Sequence, residues 1–212
     1  MALENFTTWN LLDAGSKVTR SANELDIRSL QNSETARCWK VYDPDTFGAE
    51  FIHSFSIKAW QRWSTHTYHC AYALGNVLNN EQAWINAKNE AIGFTVGYST
   101  TGYLFLLYNY ELGNVFDYVY VTGGQQYWVD IIRAGVSLQA KIYSDATKET
   151  LVSTLTRTLN AARTYSIAFG FNSRNSGYAD KALSYYVWDL DLGTEPTPIP
   201  IFRHHYKLLA RR

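Results

Sequence analysis

Trp188-Asp189-Leu190-Asp191 sets two carboxylates at i and i+2, positions that share one face of a β-strand. Paired acids in that arrangement could serve as acid and nucleophile on a glycosidic bond, provided the carboxyls lie about 5–5.5 Å apart. The same spacing is what a one-sided strand demands of its polar face, and Asp189 and Asp191 are read that way. His66-Thr67-Tyr68-His69 brings two imidazoles close in sequence, but that segment has no carboxylate to complete a metal set, so structural or surface places are expected for both. The remaining histidines are His53, His204 and His205. The sequence contains no Gly-x-Ser-x-Gly, His-Glu-x-x-His, phosphate-cradling glycine loop or Cys-x-x-Cys. No catalytic residue and no metal ligand is assigned, and the chain is not expected to be an enzyme.

Aromatic residues beside amides and hydroxyls carry a different chemistry. Trp60, Trp63 and Tyr68 flank Gln61-Arg62 and Ser64-Thr65-His66, and Tyr98 and Tyr103 flank Ser99-Thr100-Thr101-Gly102. A third set is Asn172-Ser173-Arg174-Asn175-Ser176-Gly177-Tyr178. The C–H faces of a sugar stack on such rings while its hydroxyls take hydrogen bonds from the polar neighbours. The expected ligand set is therefore Trp60, Trp63, His66, Tyr98, Tyr103, Asn172, Arg174, Asn175 and Tyr178. The competing reading for each ring is ordinary core or sheet packing.

These residues must be held by strands. Of the 212 residues, 46% are hydrophobic and only 18% charged, a balance that buries a core, and 16% are aromatic, including 7 Trp and 16 Tyr, which suit pleated surfaces. Period-two alternation recurs along the chain between Gly, Asn, Asp and Ser clusters, and no long segment keeps a 3.6-residue stripe. Strands are predicted at 24–29, 49–60, 68–74, 91–98, 102–110, 127–132, 136–143, 150–159, 164–171 and 185–192. In the last, Tyr186, Trp188, Leu190 and Leu192 are expected inward and Val187, Asp189 and Asp191 outward. Segment 79–88 reads equally as a short helix or a long loop. About ten strands with long connections favour a two-sheet sandwich over an up-and-down barrel.

Three of the four prolines fall at Pro196, Pro198 and Pro200, which divides the chain into a domain at 1–193, a linker at 194–200 and a tail at 201–212. The tail carries Arg203, Lys207, Arg211 and Arg212 and no acid, leaving residues 1–195 with 15 basic against 19 acidic groups. Ile199, Ile201, Phe202, Tyr206, Leu208 and Leu209 supply apolar surface, and with Arg211 and Arg212 they are expected to dock on another subunit. The formal net charge is zero, so no positive field is available for nucleic acid, and no window approaches 18 apolar residues, so no membrane span is expected. The N-terminus shows no export signal, so the Asn5-Phe6-Thr7 sequon is read as chance. Cys38 and Cys70 are too few for a disulfide framework, and whether they pair is left open.

The order of segments resembles the concanavalin A-like lectin/glucanase superfamily, which includes laminin G-like domains. The resemblance rests on Glu4-Asn5-Phe6-Thr7-Thr8-Trp9 and Asn23-Glu24-Leu25-Asp26-Ile27, then the long Phe51 to Ala59 strand. It rests further on the hairpin from Tyr127 to Arg133 and Leu138 to Tyr143 with Ser144-Asp145 and Leu151 to Leu155, and on Val187-Trp188-Asp189-Leu190-Asp191-Leu192. It implies an all-β, two-sheet antiparallel jelly roll over residues 4–193. The superfamily's laminarinase-type hydrolases carry two Glu flanking an Asp on one strand, and Asp189/Asp191 depart from that in residue type and strand. The resemblance leaves room for a calcium ion, but no Asp/Asn cluster maps onto a site, and no cofactor is assigned. The expected function is a non-catalytic, glycan-binding jelly roll carried on a larger assembly such as a virion decoration, fibre or surface structure, as a homo-oligomer, anchored by its tail. Its expected place is a virion or extracellular surface assembly, with a cytoplasmic place the alternative. The alternative functions are a soluble lectin and, third, a laminarinase-type glycoside hydrolase.

Overall fold

Alternating apolar residues leave each strand with a face to bury, and two sheets satisfy this by packing face to face. The computed structural model describes residues 3–62 and 64–193; Trp63 and the whole of the linker and tail, with Ile199, Ile201, Phe202, His204, His205, Tyr206, Leu208, Leu209, Arg211 and Arg212, lie outside the described residues. The elements are β1 (Asn10–Asp13), β2 (Val18–Arg20), β3 (Glu24–Asn32), β4 (Ala36–Val41), β5 (Glu50–Arg62), β6 (Thr67–Gly75), α1 (Glu81–Ala87), β7 (Ala91–Tyr98) and β8 (Tyr103–Asn109). They continue with β9 (Val115–Val121), β10 (Tyr127–Ala134), β11 (Ser137–Tyr143), β12 (Leu151–Thr158), β13 (Ile167–Ser173) and β14 (Tyr178–Asp191). One sheet runs β1-β4-β13-β6-β7-β8-β9 and the second β12-β11-β10-β5-β14-β3-β2. Their ladders are antiparallel.

Between the sheets lies the main core, with Phe55 and Ile57 of β5, Val129 and Ile131 of β10, and Leu138 and Ile142 of β11 facing Phe94 and Val96 of β7 and Phe105 and Leu107 of β8. Each such side chain contributes roughly 1.5–3 kcal/mol on full burial. The first sheet also buries part of its other face. There α1, capped by the Asn80 side chain accepting from the Ala83 N–H at 2.8 Å, presses Trp84 and Ile85 onto Cys70, Ala91, Leu106, Tyr110 and Phe169. The helical alternative for 79–88 is thus the one observed.

Four strands are additional to those predicted: β1, β2, β4 and β9. β1, β2 and β9 are edge strands, with burial patterns too shallow to give a strong amphipathic contrast. Phe6-Thr7-Thr8 forms a 3-10 turn rather than a strand, although Phe6 and Trp9 are both buried.

The inward assignment in β14 needs correction. Tyr185 and Val187 are fully buried, while Tyr186 and Trp188 point outward and are half-buried. Asp189 then adopts φ +53°, the register with β5 shifts between Trp188 and Asp191, and Leu190 and Leu192 return to the core. A bulge residue in the left-handed region flips the parity of everything after it, and Asp tolerates that region better than most. Asn23 fixes the bulge, accepting from the Asp189 N–H at 2.9 Å and donating to the Asp189 carboxylate at 2.8 Å. Asp189 stays exposed, but Asp191 is 6% exposed and accepts from the Gly193 N–H, so it is not on a solvent face.

Cys38 and Cys70 are both buried free thiols, Cys38 in the main core and Cys70 under α1, and burial pushes the Cys38 thiol up to about 12. Among the described residues no helix is long and apolar enough to cross a membrane.

Candidate functional site

Strand β7 reads Ala91-Ile92-Gly93-Phe94-Thr95-Val96-Gly97-Tyr98. Its inward residues are large, whereas Gly93, Thr95 and Gly97 on the opposite face are small, so neighbouring side chains can settle close against the outer face of the first sheet. Register sets which of them meet. One rung joins Tyr68 on β6, Gly97, Leu104 on β8 and Tyr120 on β9, and the next joins Cys70, Thr95, Leu106 and Tyr118. A Cβ at Gly97 would lie 2.3 Å from Tyr68 Cδ1, so only glycine lets that ring settle there. A Cβ at Gly93 would lie 2.8 Å from Tyr110 Cε2 and 3.0 Å from Cys70 Sγ.

Tyr68, Ser99, Leu104, Leu106, Phe116, Tyr118 and Tyr120 enclose a groove of about 240 Å³. Tyr118 and Tyr120 form its open rim, 50% and 46% exposed, with ring centroids 5.7 Å apart and planes at 88°. Hydrogen bonds to Ser99 and Thr101 hold the Tyr120 phenol below its ordinary value. From that rim the aromatic row continues inward through Phe116 and Tyr108, 5.1 Å apart, to Tyr110, stacked 5.0 Å from Tyr108.

At the inner end the row meets buried polar groups. Glu81 of α1 is fully buried, and its Oε1 accepts from Thr95 Oγ1 at 2.8 Å and Tyr110 OH at 3.0 Å, while Oε2 is buried with no partner. Burial pushes this carboxyl above the usual range, against the pull of Arg174 and its two hydrogen bonds. Arg174 lies beside Tyr68, its guanidinium 5.1 Å from the ring centroid, donating through Nε to Gln82 at 3.2 Å and through Nη1 to Tyr108 OH at 3.5 Å. Its backbone is pinned as well: the N–H donates to His69 Nδ1 at 3.3 Å and the carbonyl accepts from the Gln82 N–H at 2.9 Å. His69 in turn donates through Nε2 to the Leu30 carbonyl at 2.9 Å, and burial lowers its imidazole to about 3, so it is a neutral strut.

Of the expected ligand residues that are described, Arg174 stands beside Tyr68 on one wall of this groove, and Trp60, His66, Tyr98, Tyr103, Asn172, Asn175 and Tyr178 lie apart from it. Trp60 lies on the outer face of the second sheet, 6.0 Å from Tyr186, which stacks 4.9 Å from Trp188. Tyr98 is buried and points into the main core, edge-on to half-buried Tyr103 at 4.9 Å and with Arg62 3.9 Å above its ring. Asn172 is fully buried and donates to the Asn79 carbonyl at 2.7 Å, tying β13 to the approach to α1. Asn175, at φ +48°, donates to Thr35 Oγ1, and Tyr178 is exposed under the Lys181 ammonium. His66 sits in an exposed turn at φ +61°, apart from buried His69. Residues adjacent in a loop were grouped by sequence, whereas strand parity and register set which ones share a face. The signal for Tyr118 and Tyr120 was available in Phe116-Asp117-Tyr118-Val119-Tyr120, whose aromatics alternate, opposite the small residues of Gly93-x-Thr95-x-Gly97.

Asp189 and Asp191 line a different pocket, of about 270 Å³, with Leu3, Ser54, Trp128 and Lys148 on the second sheet, and Lys148 pairs with Asp130 there. Among the described residues no three His, Cys, Asp or Glu side chains gather as metal ligands.

No protein-family model and no curated protein matches the sequence. Solved structures do resemble the fold. A functionally unknown protein from Saccharomyces cerevisiae matches with TM-score 0.57 at 9% identity, over 89% of this chain and 97% of that one. Winged bean acidic lectin, complexed with methyl-α-D-galactose, matches with TM-score 0.55 at 12% identity, over 89% and 95%. The exoplasmic/lumenal domain of VIP36 in a Ca2+/Man2-bound form matches with TM-score 0.51 at 7% identity, over 92% and 89%. At these identities the likeness is one of architecture, and the chain has the concanavalin A-like jelly-roll fold.

Proposed function

We propose that this chain is a non-catalytic carbohydrate-binding module whose ligand lies in the groove beneath Tyr118 and Tyr120. The observation that carries the reading is the pairing of two half-exposed tyrosines on a groove rim with a neighbouring set of fixed hydrogen-bonding groups, Ser99, Tyr68 and Arg174. Rings supply the stacking surface for sugar C–H faces, and the polar groups supply direction. Winged bean acidic lectin with methyl-α-D-galactose and VIP36 with Man2 support the class of ligand without naming it. A shallow groove gives weak single-site binding, which multivalent display raises. A glycan array probed with a multimeric form of the full chain tests this. Binding that is lost on replacing Tyr118 and Tyr120 together by Ala is expected, whereas a blank array defeats the reading, and equal binding by the double variant moves the site elsewhere.

A second element of the proposal is display on a larger assembly, as a virion decoration, fibre or surface structure. The support is in the sequence of 199–212, where Ile199, Ile201, Phe202, Tyr206, Leu208 and Leu209 alternate with basic groups opposite in sign to the acidic excess of residues 1–195. Ordering a segment costs about 1–2 kcal/mol of backbone entropy per residue, which burial of those side chains against a neighbouring subunit would offset. Deleting 196–212 should leave a folded sandwich that no longer enters its assembly; unfolding, or normal assembly, contradicts the anchor.

A further inference from the structure

We propose that the groove prefers acidic saccharides, with Arg174 receiving the carboxylate or sulfate of a sugar that lies against the Tyr118–Tyr120 rim. This rests on the glycan reading of the groove and adds the chemical class of the ligand. The first ground is charge. Tyr68, Leu104, Leu106, Tyr118 and Tyr120 are neutral, so no carboxylate on these walls opposes an anion. Arg174 stands over the ring of Tyr68, one of the groove's walls, and among the described residues it has no carboxylate within salt-bridge distance. A guanidinium partly withdrawn from water and without a direct salt bridge attracts an anionic ligand more strongly than one fully screened by solvent.

The second ground is the geometry of the donors. Nε and Nη1 are committed to Gln82 and Tyr108, and among the described residues Nη2 makes no hydrogen bond. One arm of a planar fork therefore remains for an oxyanion, and Arg suits that role better than a flexible ammonium would. The fork is fixed in advance, because both backbone polar groups of Arg174 are tied, to His69 and to Gln82. The third ground is the neighbouring acid. Glu81 is wholly buried and its Oε1 is occupied by Thr95 and Tyr110, and among the described residues it makes no direct salt bridge to Arg174, so it leaves the free arm of that guanidinium uncovered. Burial works against the guanidinium's charge, but Glu81, Tyr108 and Tyr110 together outweigh it, and Arg174 remains a cation.

The test is binding of the full-length chain to matched saccharide pairs: sialylated and desialylated, uronate and carboxyl-reduced, sulfated and desulfated oligosaccharides. At least one acidic member should bind at least tenfold more tightly than its neutral mate, with the preference shrinking as salt is raised. Arg174→Gln should bring that pair to within twofold and remove its salt dependence, because the acidic member loses far more affinity than the neutral one, and Tyr118→Ala should weaken both members by the same factor. Equal binding of every pair by the unaltered chain overturns the acidic preference and leaves the glycan reading standing. Binding of neither member of any pair overturns both. Should Arg174→Gln misfold, the wild-type pair comparison and its salt dependence decide alone.

Discussion

The two outer faces of this sandwich are built from the same residue types and end differently. On the second sheet, Trp60, Tyr186 and Trp188 stack on one another along an open face, their ring faces satisfied by each other. On the first, the aromatics from Tyr110 to Tyr120 climb from beneath α1 to the surface, Gly93 and Gly97 let the Tyr110 and Tyr68 rings sink against β7, and an open groove remains over Leu104 and Leu106. An aromatic row becomes a site when small residues beside it let some rings sink and leave a groove between the others, and a covering helix brings buried polar groups to one end. Without those it remains a packed surface.

The sharpest way to break the contrast is to remove the cover. Trp84 is fully buried against Phe169 and Tyr110, so Trp84→Ala should cost about 3–5 kcal/mol in urea unfolding and abolish glycan binding with it. Displacing a wall of the groove comes next. Gly97→Val sets a side chain where the Tyr68 ring lies and should cost about 1–3 kcal/mol, leaving a folded protein with at least tenfold weaker glycan binding.

A smaller effect separates the buried carboxyl from its surroundings. The folded-state value of Glu81 is raised above that of the unfolded chain, so its neutral form is favoured on folding. That contribution is intact below the ordinary carboxylate range and is lost as pH rises through the raised value. Glu81→Gln should therefore show a flatter decline over that interval than the parent when urea midpoints are compared pH by pH. His53 and His69, both lowered to about 3 by burial, act in the opposite sense: they cost stability as pH falls below about 6.5 in both proteins, so the difference between the two isolates Glu81. The smallest effect belongs to the open face, where Trp188→Ala should cost no more than about 1 kcal/mol and leave glycan binding unchanged.

Much of the sandwich was legible in the chain, since alternation marked β7 at its observed limits and placed β5, β6, β8, β10, β11 and β12 to within a few residues. What alternation cannot carry is a change of parity. Asp189 at φ +53° reverses the faces of Tyr186 and Trp188 relative to Leu190, and Ser29 at φ +50° marks an irregularity in β3. The groove was less legible for a related reason: Tyr68, Gly97, Leu104 and Tyr120 are one rung of four strands, a relation set by register rather than by neighbourhood in sequence. Arg174 was singled out because its loop is polar and aromatic, and it lies beside Tyr68, while of the residues chosen by the same criterion Tyr98 packs into the core and Asn172 ties β13 to the approach to α1.

The central claim is that ligand meets the first sheet and not the second. Aromatic and methyl chemical shifts recorded as the tightest-binding oligosaccharide is titrated into the full-length chain test it directly. Changes centred on Tyr68, Leu104, Leu106, Tyr118 and Tyr120, with Trp60, Tyr186 and Trp188 unmoved, are predicted; changes centred on those last three would contradict it.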